Sequence, residues 1–141
     1  MAGSNHVLSF APVYGWASPS NQWVTISSNA TTMVEGNYIQ QFGSLQVNLT
    51  PSVATNAGAQ WQVDAGAWQN SGAIVSNLTI GLHAVSFTNV VGFITPAPQT
   101  NVNIVPNQTT VISGSYIALG AVTAANLPRF TLSRKARCPS R

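Results

Sequence analysis

The chain has 141 residues, of which 45% are hydrophobic and only 5% charged, against roughly 25% charged in an average globular protein. So much apolar residue with so little charge excludes an intrinsically disordered chain. No run approaches the roughly 20 apolar residues of a membrane-spanning helix, so no membrane span is expected. The formal charge of +3 arises wholly from Arg129, Arg134, Lys135, Arg137 and Arg141. Residues 1–128 hold Glu35 and Asp64 as their acids and no Lys or Arg, so the body of the chain has no electrostatic footprint for DNA or RNA.

In chain order, the sequence reads as strands. Nothing has the period of an amphipathic helix; Gly or Pro recurs every few residues among Val, Thr, Ser and Asn. His6, Leu8 and Phe10 alternate with Val7 and Ser9. Val24 and Ile26, then Val34 and Tyr38, join Leu8 and Phe10 in the inward set of residues 1–42. Ile39–Phe42 is a direct link, too short for an independent connector. Leu45, Val47 and Leu49 alternate with Gln46, Asn48 and Thr50, a half-buried strand that Pro51 ends. Thr55–Gly58 is expected as a turn. Trp61 and Val63 face inward against Gln60, Gln62 and Asp64, and Asp64–Gly66 makes a tight turn. A strand or a pair of short strands follows over Ala73–Ile80.

From Gly81 the pattern of the first residues returns. His83, Val85 and Phe87 form one face; Val102 and Ile104 form another inward pair; Ile112, Gly114 and Tyr116 close the set. Residues 4–39 and 81–117 are therefore two copies of one pattern. His6 corresponds to His83, Phe10 to Phe87, Gly15 to Gly92 and Trp16 to Phe93, at an offset of 77. After one inserted residue, Val24 corresponds to Val102, Asn29 to Asn107, Gly36 to Gly114 and Tyr38 to Tyr116, at an offset of 78. A fixed period marks a tandem array. A glycine at the same place in a strand of each copy, Gly36 and Gly114, suggests a bulge or a close approach.

The expected organisation has three parts. Residues 1–42 are the C-terminal half of a preceding repeat unit. Residues 43–118 are a complete all-β unit of about seven short strands, which at this spacing imply a β-sandwich. Residues 119–141 are a basic tail without periodicity, expected to be disordered. The inward residues of the complete unit are Leu45, Val47, Leu49, Trp61, Val63, Leu78, Val85, Phe87, Phe93, Val102, Ile104, Ile112 and Tyr116. The first residues, MAGSNHVLSF, have neither a basic segment nor a sustained apolar one, so no signal peptide is read there. Because the first copy begins in mid-module, Met1 is expected not to be the native start. A single cysteine, Cys138, allows no intramolecular disulfide.

The ordered series GSLQVNLTP, GAQWQVDAGAWQNSG, LTIGLHAVSF and NQTTVISGSY resembles the PEGA and PEGA-like repeat modules of bacterial surface and secreted proteins. The shared signs are the turn Val63-Asp64-Ala65-Gly66, the strand start Gly81-Leu82-His83, and the aromatic after glycine in Gly92-Phe93 and Gly15-Trp16. Two departures are Ala65, where the family often has glycine, and the missing PEGA tetrapeptide. The resemblance implies a sandwich related to transthyretin-like and carboxypeptidase-regulatory modules. It implies a non-catalytic spacer or adhesion domain, extracellular or at the cell surface, whose partners are neighbouring repeats of the same chain.

The candidates for chemistry are few. His6 and His83 occupy equivalent places; with no carboxylate recurring beside them they read as structural, each ring meeting a backbone group in the same way. Asp64 and Glu35 fall in different units, which argues against the paired carboxylates of a glycosidase, and Asp64 reads as capping its own turn. Trp61 lies on the inward alternation, and Trp16 is replaced by Phe93, so both read as packing residues. Trp23 and Trp68 are the candidates for stacking on a sugar, which gives the alternative reading, a carbohydrate-binding module for a cell-surface or extracellular glycan. Sequons occur at Asn29, Asn48, Asn77 and Asn107, as expected by chance in so Asn- and Thr-rich a chain. No catalytic residue, metal ligand or cofactor is expected, and the chain is read as not an enzyme.

Overall fold

The computed structural model describes residues 3–120. The chain is mostly β. Residues up to the link form β1 (Ser4–Leu8), β2 (Trp16–Ala17), β3 (Gln22–Ile26) and β4 (Ile39–Gln40). The remainder forms β5 (Phe42–Thr50), α1 (Ser52–Asn56), β6 (Trp61–Val63), β7 (Ile74–Thr79), β8 (Gly81–Phe87), β9 (Phe93–Ile94), β10 (Gln99–Ile104), β11 (Thr109–Ser115) and β12 (Ile117–Ala118). The tail expected to be disordered, with its basic residues and Cys138, lies from residue 121 onward outside the described residues.

Two three-stranded sheets carry the core, ordered β11-β5-β7 and β10-β8-β6. β5 takes β7 as an antiparallel neighbour and β11 as a parallel one, with Ser44 opposite Thr109 and Thr50 opposite Ser115. β5, β6, β8 and β11 alternate as the period of two requires, while β7 and β10 break it where their register slips. In β5, Leu45, Val47 and Leu49 are buried; in β8, His83, Val85 and Phe87 are. Side chains from both sheets join one cluster, with Trp61, Leu45, Ile104, Val47 and Val85 fully enclosed. All thirteen expected inward residues are buried in this cluster or packed against it. At about 1.5–3 kcal/mol per large side chain buried, such a set is the main favourable term of the fold.

Three features differ from the sequence reading. The expected turn Thr55–Gly58 is present, closed by Gly58 N–H donating to Thr55 O at 3.1 Å, but the short helix α1, which was not expected, runs into it. Pro51 breaks β5, and the five residues after it close one helical turn, so that Ala54 drops into the core; Ser52, Thr55 and Asn56 conceal its single apolar contact from any periodicity. From Phe42 to Ala118 the chain forms eight strands against the about seven expected, two of them the two-residue pair β9 and β12. Finally, residues 31–38 form no strand, although their sequence matches that of β11. β11 is a strand because β5 lies beside it, and residues 31–38 have no such neighbour.

Otherwise the two copies share their backbone geometry. β1 pairs with β3 so that Ser4 faces Ile26 and His6 faces Val24; β8 pairs with β10 so that Gly81 faces Ile104 and His83 faces Val102. Leu8 then faces Gln22 without interruption, whereas Val85 faces Gln99, and the register slips between Gln99 and Val102. The one-residue insertion between the copies is this β-bulge, which takes up an extra residue without moving the flanking pairs. β2 pairs with β4 as β9 pairs with β12, residue for corresponding residue. Ahead of each pair stands a glycine of positive φ, Gly15 at 80° and Gly92 at 86°, in a region where a Cβ would be strained. The turn closes by Trp16 N–H donating to Val13 O at 3.0 Å and by Phe93 N–H donating to Val90 O at 3.1 Å.

Candidate functional site

Three kinds of place could carry chemistry: the histidines, the exposed tryptophans and the clefts. His83 is on the inward face of β8, next to the turn that ends β6. Asp64 and Ala65 form that turn with positive φ of 48° and 59°, and Gly66 N–H donates to Val63 O at 2.8 Å. Two consecutive residues of positive φ fit a type I′ hairpin turn, where Asn or Asp followed by Gly is preferred. Asp64 does not cap this turn. Its carboxylate accepts a hydrogen bond from Ala84 N–H at 3.0 Å and contacts His83 Nδ1 at 2.5 Å. His83 Nε2 lies 2.8 Å from Thr79 O.

Both ring nitrogens of His83 thus face acceptors and both must donate, which selects the imidazolium. Burial works to lower the pKa of His83. The hydrogen bonds to Asp64 and to the Thr79 carbonyl, with the charge of Asp64, outweigh it and hold the pKa above its ordinary 6.5. For Asp64, partial burial works upward; the Ala84 amide and the bond and charge of His83 outweigh it and hold the carboxyl below its ordinary 3.8. A ring with both nitrogens occupied and only 9% of its residue surface exposed has no lone pair for a base or a metal. Its place is structural: it ties the β6 turn, β8 and the end of β7.

The two histidines do not behave alike, contrary to the sequence reading. His6 Nε2 meets Ser4 Oγ at 2.8 Å and is exposed. Asp64 and Thr79 precede β8 in the chain, and no carboxylate or strand carbonyl stands at the corresponding places beside His6 among the described residues. The Asp64–His83 pair was missed in the sequence because 19 residues separate the partners. The signal that could have found it is that the sole acid and the sole histidine of residues 43–118 stand at facing ends of neighbouring strands.

Trp61, Trp23 and Trp68 are placed as expected, but apart; Trp16, read as a packing residue, is instead 42% exposed, because no closed core lies beside it as one lies beside the corresponding Phe93. Trp61 is wholly buried and donates from Nε1 to Asn70 O at 3.0 Å. Trp23 is 78% exposed on β3, and Trp68 is 44% exposed on the stretch between β6 and β7. They make no ring contact with each other, the aromatic pairs being Phe10–Tyr38 and Phe93–Tyr116. Neither lines the clefts described next. Among the described residues no group of three His, Cys, Asp or Glu side chains could hold a metal ion, and no helix is long and apolar enough to cross a membrane.

A cleft of about 490 Å3 lies at the join of the two copies, bordered by Gln40, Gln41, Asn77, Asn107 and Gln108. One of about 590 Å3 runs between β10 and β11. The third, about 470 Å3, opens on β1 and β3 and is the most apolar of these: His6, Leu8, Val24, Ile26, Thr32 and Val34 are among its lining. These side chains correspond to His83, Val85, Val102, Ile104, Thr110 and Ile112. Leu8 is 37% exposed against 0% for Val85, and Ile26 is 42% exposed against 0% for Ile104. Comparison with protein-family models, curated proteins and solved structures finds no match to the chain.

Proposed function

We infer that the protein is a piece of a tandem array of small β-sandwich units, PEGA-like in pattern, that spaces or presents other domains at a cell surface or in a secreted protein. Residues 43–118 are the complete unit and residues 1–42 the back half of a preceding one. The carrying observation is how the chain leaves each copy. Gln41 N–H donates to Gly15 O at 2.8 Å, and Leu119 N–H donates to Gly92 O at 2.9 Å. The departing backbone is fixed to the same glycine in both copies. In the first case the next unit starts at once, with only Gln41 between β4 and β5. Asn107 Nδ2 donates to Gln41 Oε1 at 3.1 Å and Asn107 N–H donates to Phe42 O at 2.9 Å, which clamps the link to the following unit. A link held at both sides gives a fixed step from unit to unit, and repetition of a fixed step gives an extended solenoid-like rod.

The test appends one and then two further copies of residues 41–118 after Ala118, so that Gln41 and Phe42 keep the link, and measures small-angle scattering. Equal increments of the maximum dimension are expected per added unit. A maximum dimension that fails to grow, or grows as that of a freely jointed chain, would overturn the spacer reading. The carbohydrate-binding alternative rests on the exposure of Trp23 and Trp68. Its test is a glycan-array signal that is lost on Trp68→Ala or Trp23→Ala.

A further inference from the structure

The second copy has a strand, β11, at a place where the first has none, and the surroundings of that place are the same. Thr110 Oγ1 donates to Asn103 O at 3.0 Å, and the corresponding Thr32 Oγ1 donates to Thr25 O at 3.1 Å. Gln99 Nε2 donates to Ser113 O at 2.9 Å, and Gln22 Nε2 donates to Glu35 O at 3.1 Å. Tyr116 Oη donates to Thr88 O at 2.7 Å, and Tyr38 Oη donates to Ala11 O at 2.7 Å. The glycines also correspond. At Gly114 an added Cβ would collide with the ring of Phe87, and at Gly36 with the ring of Phe10. Residues 31–37 are therefore pinned from one side as residues 109–115 are. On the other side, where β5 runs in the second copy, residues 31–37 have no ladder, and Val34 and Met33 are 39% and 91% exposed.

The geometry points to residues 31–37 and the cleft over β1 and β3 as an acceptor site for one β-strand, supplied by the front half of a unit of the same kind and laid parallel to residues 31–37. This deepens the array reading and rests on it. The site fixes the donor's chemistry. By the register of β5 on β11, donor residues corresponding to Leu45, Val47 and Leu49 stand opposite Thr32, Val34 and Gly36. Those three are the inward residues of β5, and the face they cover in the second copy is that of β8 and β10. The donor must therefore carry apolar residues at alternate positions, in the manner of Leu-x-Val-x-Leu. It must present a large one at the glycine. At Gly114 the missing Cβ makes room for Leu49 Cδ2 as well as Phe87; at Gly36 Phe10 already fills its share. Main-chain bonds along a free edge supply affinity, and alternate side chains in the cleft supply specificity, as in other cases of strand addition. The parallel direction excludes the antiparallel hairpin that a random extended peptide would favour.

The experiment extends the whole chain at its front. Residues 42–81 are joined to Asn5, so that the glycine with φ of 132° at position 81 keeps its place. Amide exchange is read residue by residue in the parent chain, in the extended chain, and in an extended chain carrying Leu45→Asp and Val47→Asp in the added copy only. Exchange over residues 31–37 should slow by on the order of a hundredfold or more in the extended chain and stay at the parent rate in the doubly substituted one. If β1 and β3 gain protection but residues 31–37 do not, the array reading stands and the strand site is wrong. Where nothing upstream of Gln41 gains protection, the array reading falls too. Equal protection with the two aspartates present would show that the alternation is not what the site recognises, and would overturn the proposal.

Discussion

Residues 4–40 and 81–118 have nearly one backbone arrangement in two different surroundings. They share strand registers, a glycine-headed turn, a phenylalanine over a glycine, and three side-chain hydrogen bonds to carbonyls. They differ in what those contacts enclose. Around Phe87 the core is closed by β5, α1 and β6; around Phe10 it is open. The difference separates two kinds of information in one pattern of residues. Contacts within about forty residues form from the local sequence alone. Burial and strand ladders wait for a partner, and the partner lies elsewhere in the chain.

The strongest way to break this comparison is to remove the same ring from both copies. Phe87 is 8% exposed and touches Gly114 and Leu49's pocket; Phe87→Ala should cost about 3–5 kcal/mol in urea unfolding. Phe10→Ala leaves no closed cavity, since Leu8 and Val34 beside it already meet solvent, and should cost under about 1.5 kcal/mol. Equal costs would mean that the first copy is closed in solution and that its cleft is not open.

A smaller effect tests the ion pair that one copy has and the other lacks. The pKa of His83 is raised on folding, so its share of stability is complete below about 6.5 and is lost as pH rises through the folded value. The pKa of Asp64 is lowered, so its share is complete above about 3.8 and is lost as pH falls through the folded value. Stability should therefore be greatest between about pH 4 and pH 6.5 and decline on both sides. Asp64→Asn should flatten the alkaline decline and cost about 1 kcal/mol at pH 5.5, a modest figure because the carboxylate is half exposed to solvent. A melting profile that stays sloped between pH 6 and pH 8 after the substitution would place the titrating group elsewhere.

The smallest expected change is a gain. Ala65 sits at φ 59°, in a region that costs an L-residue roughly 1 kcal/mol or more. Ala65→Gly should raise stability by about 0.5–1 kcal/mol, part of the relief being offset by the greater freedom of glycine in the unfolded chain. A loss on this substitution would mean that the Ala65 methyl group makes contacts that outweigh its strain.

Most of the core was legible because strands declare themselves by alternation. Leu45, Val47 and Leu49, or His83, Val85 and Phe87, need only a period of two to be sorted inward. Ala54, Ala59 and Val90 are equally buried but sit on α1 and on connecting segments, where no period marks them. The inserted residue was legible as a change of offset between copies; that it is a bulge in β10 was not, because a bulge is a property of the pair and not of one strand. The Asp64–His83 contact is of the same sort. The same reason explains residues 31–38, whose sequence promises a strand that only a neighbour can complete.

The parallel ladder between β5 and β11 has a mechanical consequence. Tension along the chain reaches the complete unit at Phe42, the beginning of β5, and leaves it past β12 from Ser115, the end of β11. These points lie at opposite ends of two parallel neighbours. The load draws β5 and β11 past one another lengthwise, so every bond from the Ser44–Thr109 pair to the Thr50–Ser115 pair is stressed together and none can be peeled first. The two-residue contact of β12 with β9 gives way early and yields a little length; the ladder behind it holds until it shears as a whole. A unit that joins its first strand to its last in this way resists extension through its unfolding rate, and does so with no cysteine in either strand.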